Sequence, residues 1–176
     1  GAYLAAHHLL ELGHRKIGAL SGPETWVSNA RRVAGYRRAL AEQGLALPIV
    51  YADRTTIESG EQSYRQLLKQ YPDITAICAV NDAMALGAMR AAQEMGKSVP
   101  GDLSIVGFDD IPLASLNEPQ LTTIRVPKRQ MGGEVAHRML SLLEHPDSFP
   151  VEVLVSVELV KRASTRSLGG ADQIER

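Results

Sequence analysis

The sequence predicts an α/β fold built on a doubly wound parallel sheet. Three short apolar runs, at residues 17–21, 75–80 and 105–106, show no alternation with polar residues. Runs of this kind are typical of strands that are covered on both faces. Segments with helical periodicity separate them, and the connections are short, which is the pattern of a parallel sheet. Polar groups that follow such strands meet at one edge, where open α/β sheets bind their ligands.

Composition is that of an ordinary globular chain. The 176 residues are 44% apolar and 22% charged, enough for one large domain or two small lobes. The net charge is −1 and no basic stripe is present, so this chain alone is a poor match for nucleic acid. No apolar run reaches the roughly 20 residues that a membrane span needs. A single cysteine, Cys78, excludes an internal disulfide and is expected to be a small buried side chain.

The first elements follow from stop signals and caps. Residues 2–12 are expected to form a helix that Gly13 ends, and a strand over 17–21 follows. Ser28 or Asn29 can cap the next helix. Its predicted apolar side consists of small and aliphatic residues: Ala30, Val33, Ala34, Leu40 and Ala41. Adjacent His7 and His8 point about 100° apart on the first helix and so cannot chelate a metal from one face. We therefore expect no metal site, and no cofactor motif is present.

The middle of the chain predicts strands over 48–53 and 75–80, with a helix around 58–71 between them. The helix from Asp82 to Met95 carries more apolar surface than one sheet needs, because its Met and Ala side chains span an arc of about 160°. Leu86 falls outside that arc. This surplus predicts a second partner, either another subunit or a neighbouring lobe.

The last third leaves the sheet. Pro127 is expected to open a helix over 128–144, and the β-branched run 151–161 predicts a strand. Residues 164–176, rich in Ser, Gly and charge, are expected to form a flexible tail.

Two polar side chains occupy matching positions at strand ends. Asn81 follows the strand over 75–80, and Asp109 follows the strand at 105–106. A carboxylate accepts hydrogen bonds from ligand hydroxyls, and an amide offers both donors and an acceptor. Either group could instead only cap the next turn or helix. Arg32 lies one turn from a helix start that points toward the same edge, and Trp26 in the adjoining loop either stacks on a ligand or packs on the lobe.

With these residues in hand, the chain resembles the ligand-binding region of bacterial transcription regulators of the lactose and galactose repressor family. The matching motifs cover nearly the whole chain in order: G-H-R-K-I-G-A-L-S-G-P at 13–23, R-R-V-A-G-Y-R-R-A-L at 31–40, A-V-N-D-A-M-A-L-G-A-M-R-A at 79–91, V-P-G-D-L-S-I-V-G-F-D-D at 99–110 and P-Q-L-T-T-I at 119–124.

This resemblance implies a periplasmic-binding-protein-like fold of two α/β lobes with an effector between them. It implies that Arg32, Asn81 and Asp109 hold the effector's hydroxyls and that Ser28 lines the cleft. Arg54 stands where a stacking aromatic is often found, which leaves two alternatives: an anionic or larger effector, or a ring supplied by Trp26.

The resemblance also implies an organisation in segments. Residues 1–124 match the C-terminal lobe, 125–155 the return segment of the N-terminal lobe, and 156–163 a final strand back to the C-terminal lobe. A helix-turn-helix segment that would bind operator DNA, and most of the first lobe, are expected upstream, so the chain is expected to be an N-terminally truncated part of a regulator.

The function that follows is effector sensing, with a small molecule such as a sugar or sugar derivative controlling repression through lobe closure in a cytoplasmic dimer. The expected homodimer contacts are four apolar residues: Met84, Ala88, Leu113 and Leu116. The alternative is a periplasmic sugar-binding protein of a transport system. An enzyme is disfavoured, because adjacent Asp109 and Asp110 offer no paired acid and base, and no nucleophile–base set or phosphate loop is present.

Overall fold

The computed structural model describes residues 1–168 as strands and helices in alternation. The helices are α1 (Ala2–Glu11), α2 (Val27–Ala41), α3 (Ile57–Gln70), α4 (Asp82–Glu94), α5 (Pro112–Leu116) and α6 (Lys128–Glu144). The strands are β1 (Ile17–Ser21), β2 (Ile49–Tyr51), β3 (Ala76–Ala79), β4 (Ser104–Val106), β5 (Thr123–Arg125) and β6 (Glu158–Val160). No helix within residues 1–168 is long and apolar enough to cross a membrane.

The central sheet confirms the predicted doubly wound α/β class. Its four strands run parallel in the order β2-β1-β3-β4. Strands β1, β3 and β4 are buried along their whole length, which explains why their sequences show no polar alternation. Helix α1 packs with α2, and α3 packs with α4. Cys78 lies in the centre of the sheet, fully buried as expected.

Strands β5 and β6 form a separate antiparallel ribbon, in which Thr123 pairs with Val160 and Arg125 with Glu158. An isolated parallel bridge joins Val106 to Thr122, so the ribbon begins beside the end of β4. Helix α6 lies between the two ribbon strands in the sequence and has no buried residue. The predicted strand over 151–161 is confined to β6, because residues 151–157 pair with no other strand within the described chain.

The start and the packing face of α2 differ from the prediction. Ser28 and Asn29 lie inside its first turn instead of capping it, and the Asn29 side chain donates to the Pro23 carbonyl at 3.1 Å. Buried Tyr36 donates its hydroxyl to the carbonyl of Ala79 in β3 at 2.9 Å. That bond turns a different face inward, formed by Asn29, Val33, Tyr36, Ala39 and Leu40. The predicted apolar residues Ala30, Ala34 and Ala41 are exposed as a result.

The surplus apolar surface of α4 is covered by α3 of the same chain. Met84 and Ala88 are both 0% exposed, so the prediction that they contact a second subunit is wrong. The two helices approach closely because each carries a glycine at the contact. A Cβ on Gly87 would lie 2.0 Å from the Ile57 carbonyl oxygen, and one on Gly60 would lie 2.2 Å from that of Met84. The apolar arc is therefore wider than the sheet requires because it serves a helix pair, and even Leu86 is buried.

Residues 164–168, predicted as the start of a flexible tail, are instead held by contacts with the lobe. Ser164 is fully buried, and its hydroxyl donates to the Ile105 carbonyl at 2.6 Å and accepts from the Thr122 amide. Two histidines hold the residues that follow. The His8 ring contacts the Thr165 hydroxyl, and the His14 ring contacts the Arg166 carbonyl, both at 3.1 Å. Residues 164–168 thus cover the outer edge of β4, and the remainder of the predicted tail, 169–176, lies outside the described residues.

Candidate functional site

Arg32 and Asp109 form an ion pair at the C-terminal edge of the sheet. Asp109 follows β4, and Arg32 reaches it from the second turn of α2, with 3.1 Å between Nη2 and Oδ1. Arg32 also donates to the carbonyl of Val80, at the end of β3, and its guanidinium lies 3.9 Å from the centre of the Phe108 ring. A carbonyl, a carboxylate and an aromatic face together fix this arginine.

The backbone at Asp109 and Asp110 is left-handed, with φ values of 107° and 50°. No other non-glycine residue within 1–168 has a positive φ. Such conformations cost free energy and tend to occur where the surrounding structure needs a side chain in a particular direction. Here the left-handed backbone points the two adjacent carboxylates in different directions. Asp109 faces Arg32, and Asp110 faces away from it.

The Asp109 carboxylate is only partly neutralised. Burial raises the pKa of Asp109, and the charge and hydrogen bond of Arg32 and the charge of Lys128 oppose that rise without cancelling it. Its second oxygen, Oδ2, accepts no hydrogen bond from residues 1–168. The carboxylate therefore has a free acceptor in a half-buried position, which suits a ligand hydroxyl better than an anion.

Asn81 caps a helix, the alternative that the sequence left open, and also bonds to a neighbouring loop. Its Oδ1 accepts from the amide of Met84 and so caps α4 at 2.9 Å, and its Nδ2 donates to the carbonyl of Thr55 at 2.9 Å. The side chain remains part-exposed, with one amide hydrogen and one oxygen lone pair left. Asn81 can therefore contact a ligand while it keeps both bonds.

Asp82 does not face the ligand cleft. Its carboxylate is fully buried, and it accepts from the hydroxyl of Thr123 at 2.5 Å and from the amide of Ile111 at 2.8 Å. Burial raises the pKa of Asp82 to about 6, and these two hydrogen bonds oppose the rise. Asp82 thus ties α4 to β5 and to the start of α5, which makes its role structural.

The other predicted site residues make no bond to Arg32 or Asp109. Trp26 is 50% exposed at the cap position of α2, and Ser28 is exposed in the first turn of the same helix. Arg54 is exposed and borders a polar pocket with Tyr51, Asp53 and Gln62. Within residues 1–168 the side chains of Trp26, Ser28 and Arg54 make no hydrogen bond or ion pair. The structure therefore pairs Arg32 with Asp109 and leaves these three side chains outside the pair.

Sequence reasoning missed two contributors to the site. Phe108 supports Arg32, and Lys128 donates from Nζ to the carbonyls of Asp109 and Asp110. The aromatic residue directly before the two aspartates was a usable signal for Phe108. Lys128 offered none, because it is 18 residues from Asp110 and its position depends on how the ribbon folds back.

The arrangement is suited to binding a polar ligand. No group of three or more His, Cys, Asp or Glu side chains within 1–168 could hold a metal ion. Asp109 supplies acceptors and Arg32 supplies donors within 3.1 Å of each other. A guanidinium beside a carboxylate recognises neighbouring hydroxyls, because a hydroxyl is both a donor and an acceptor.

Comparisons with known proteins agree with this geometry. Residues 6–165 match the family model for the periplasmic binding protein-like domain. The HTH-type transcriptional regulator MalR of Streptomyces coelicolor is 38% identical over 173 residues, which are 95% of this chain and 50% of that protein. The chain spans about half the length of the curated relatives it matches.

Solved structures give the same result. A complex of the transcriptional regulator CelR with cellobiose superimposes with a TM-score of 0.89 at 34% identity, over 93% of this chain and 51% of that one. A lac repressor dimer bound to operator and the anti-inducer ONPF superimposes with a TM-score of 0.87 at 37% identity, over 94% and 58%. The chain therefore belongs to the periplasmic binding protein-like family, in the form carried by transcription regulators of the lactose and galactose repressor family.

Proposed function

We propose that this chain is the effector-sensing part of a DNA-binding transcription regulator and that its effector is a sugar or a sugar derivative. The observation that carries the proposal is the half-buried pair of Arg32 and Asp109 at the C-terminal edge of the parallel sheet, 3.1 Å apart. The relatives with the same fold are regulators, and one of them is a complex with cellobiose.

A sugar fits the chemistry of this site. A ring hydroxyl donates to the free oxygen of Asp109 while it accepts from the Arg32 guanidinium, so one hydroxyl satisfies both charged groups. Asn81 can contact a neighbouring hydroxyl from the end of β3. Trp26, at the rim, can cover the apolar face of a ring, and Arg54 on the adjacent loop favours a substituent that carries negative charge.

Regulation is favoured over transport because the similar curated proteins are HTH-type regulators. An effector-sensing chain of this kind acts in the cytoplasm, where its DNA is, and binds operator only through a helix-turn-helix segment outside the sequence described here. Among residues 1–168 the proposed site offers no acid–base pair or nucleophile beside Arg32 and Asp109, which supports binding over catalysis.

The packing supports the proposed division of the chain into lobe segments. Residues 1–124 contain the whole parallel sheet, whereas α6 projects beyond the ribbon with an exposed apolar side. That side supports the assignment of 125–155 to a second lobe, and β6 brings the chain back over 156–163. The N-terminal lobe would cover α6, and the effector would lie between the two lobes.

The proposed regulator is a homodimer, and α5 supplies the contacts that remain available to a partner. Leu113 is 44% exposed and Leu116 is 75% exposed, beside a groove that Met89 and Leu86 border from α4. Apolar side chains of this size on the surface are typical of subunit contacts. Met84 and Ala88 are fully buried and do not contribute.

Replacing Asp109 by alanine is expected to weaken sugar binding by about 5- to 150-fold, since removing one partner of a desolvated polar contact costs about 1–3 kcal/mol. Asn81→Ala should give a loss in the same range and also a lower unfolding temperature, because it removes the α4 cap as well. Titration calorimetry against a panel of mono- and disaccharides that includes cellobiose measures both effects.

Asp73→Asn is the matched control for these titrations. Asp73 pairs with Lys16 on the surface at the opposite edge of the sheet, so its loss should leave the sugar affinity unchanged. Because the effector is proposed to lie between two lobes, the titrations use the full-length regulator, and the sugar assignment is wrong if no saccharide binds it. If one binds and Asp109→Ala changes its affinity by less than about twofold, the site is misplaced.

A further inference from the structure

The β5–β6 ribbon is the route by which residues 126–157 connect to the lobe. Helix α6 has no buried residue, and the apolar residues that flank the ribbon, Val126 and Val157, are only partly buried. The remaining side-chain bonds across this boundary are Lys128 to the 109–110 carbonyls and the exposed pair between Arg31 and Glu152. Any rotation of the projecting part relative to the lobe therefore changes the ribbon.

A single carboxylate holds both sides of this ribbon. Asp110 accepts from Nε of Arg125, in β5, through Oδ2, and from Nη2 of Arg162, just after β6, through Oδ1, both at 2.6 Å. The side chains of Asp110 and Arg162 are each only 12% exposed. Arg162 donates further to the Leu121 carbonyl at 2.8 Å, and Arg125 pairs with Glu158 across the ribbon. Charge-assisted bonds of this geometry are among the stronger polar contacts in proteins.

The residue before this carboxylate is the proposed effector contact. Asp109 pairs with Arg32 through its side chain and donates from its backbone amide to Ile124, in β5, at 2.9 Å. Both aspartates are left-handed, so their shared peptide lies between two constrained residues. A ligand that displaces the backbone of Asp109 therefore also displaces Asp110, whose carboxylate bonds both sides of the ribbon.

From this geometry we propose that Asp110 is a positioning residue that links the effector contact at Asp109 to the two ribbon strands, so that a change at the Arg32–Asp109 pair alters the ribbon. The inference rests on the proposed function, in which Asp109 meets the effector. Asp110 itself touches no ligand in this account. A purely structural Asp110 would also stabilise the ribbon, so the test has to separate stabilisation from linkage.

A double-mutant cycle without any ligand makes that separation. Arg32→Met removes the ion pair at Asp109, as an effector would perturb it. Asp110→Asn removes the charge that bonds Arg125 and Arg162 and changes the shape of the side chain little. Asparagine also tolerates the left-handed backbone of position 110. The readout is the hydrogen-exchange rate of the backbone amides of residues 158–162, measured by NMR on the whole chain for wild type, both single variants and the double variant.

Arg32→Met is expected to change the hydrogen-exchange rates of residues 158–162 by about fivefold when residue 110 is Asp, and by less than about twofold when it is Asn. Such a difference is the non-additivity expected of coupled neighbours. Arg162→Gln removes the ion pair with Asp110 from the partner side and should abolish the response in the same way. It replaces Asp110→Asn in the cycle if that variant does not fold. In the control background Asp73→Asn, the effect of Arg32→Met should stay at its full size, because that ion pair lies at the opposite edge.

Equal effects of Arg32→Met with and without Asp110 would overturn the proposal and leave Asp110 a stabilising residue only. The absence of any response of residues 158–162 to Arg32→Met in the wild-type background would overturn it too. Neither result depends on finding the sugar. A failed cycle therefore does not refute sugar binding, and a failed sugar titration does not decide the cycle.

Discussion

Replacing Ala88 by glutamate is expected to lower the free energy of unfolding by about 3–5 kcal/mol, because it places an uncompensated charge in a buried contact. Ala88 is 0% exposed in α4, which packs against α3. The two helices lie so close that a methyl group on Gly60 or Gly87 would not fit. Urea denaturation followed by circular dichroism measures the loss, as a fall in the midpoint without a change of slope.

Leu116→Glu is the matched control. Leu116 is 75% exposed in α5, so the same introduced charge should change the unfolding free energy by less than about 0.5 kcal/mol. Sedimentation should then show weaker self-association for Leu116→Glu, with its fold intact. An Ala88→Glu chain that keeps its stability and only dissociates would show that α3 does not cover this face, and that Ala88 contacts a partner after all.

The buried carboxylate of Asp82 is expected to make stability depend on pH between about 4 and 6. Its pKa rises from 3.8 to about 6 on folding, mainly through burial, so the protonated form is favoured in the folded state. The contribution of Asp82 to the free energy of unfolding is therefore fully present below pH 4 and is lost as the pH rises through about 6. A rise of two units corresponds to about 3 kcal/mol, since each unit is worth about 1.4 kcal/mol.

The measurement is the difference in unfolding free energy between wild type and Asp82→Asn across this range. Asparagine keeps the shape and an acceptor for the Ile111 amide but does not titrate, while the Thr123 hydroxyl can rotate to accept instead. Wild type should lose stability relative to Asp82→Asn as the pH rises from 4 to 7. A difference that is flat with pH, or one that grows in favour of wild type, would contradict the burial of an ionisable Asp82.

Elements that depend on local pattern could be read from the sequence. The parallel strands were predictable because their burial on both faces removes polar alternation, and Pro127 marked the start of α6 within a residue. Arg32 and Asp109 were placed at one edge because Asp109 follows a strand end and Arg32 lies near a helix start that points toward the same edge. The structure adds that the two pair with each other, which only the fold can show.

Features that depend on distant contacts were not predictable in the same way. The apolar arc of α4 indicated a partner but could not say that the partner was α3 of the same chain. The tail composition predicted flexibility, whereas hydrogen bonds with His8, His14 and the Ile105 carbonyl hold residues 164–166 in place. The contacts of Asp110 with Arg125 and Arg162 join residues 15 and 52 positions away, so no local signal marks them.

The most direct test of the account is an NMR titration of the isotopically labelled chain with cellobiose and with other mono- and disaccharides. We predict that a binding sugar shifts the amides of residues 80–82 and 107–110 and the side-chain amide of Asn81, and that Asp109→Ala removes these shifts. Shifts confined to the α4–α5 surface, with the ends of β3 and β4 unchanged, would contradict the proposed site.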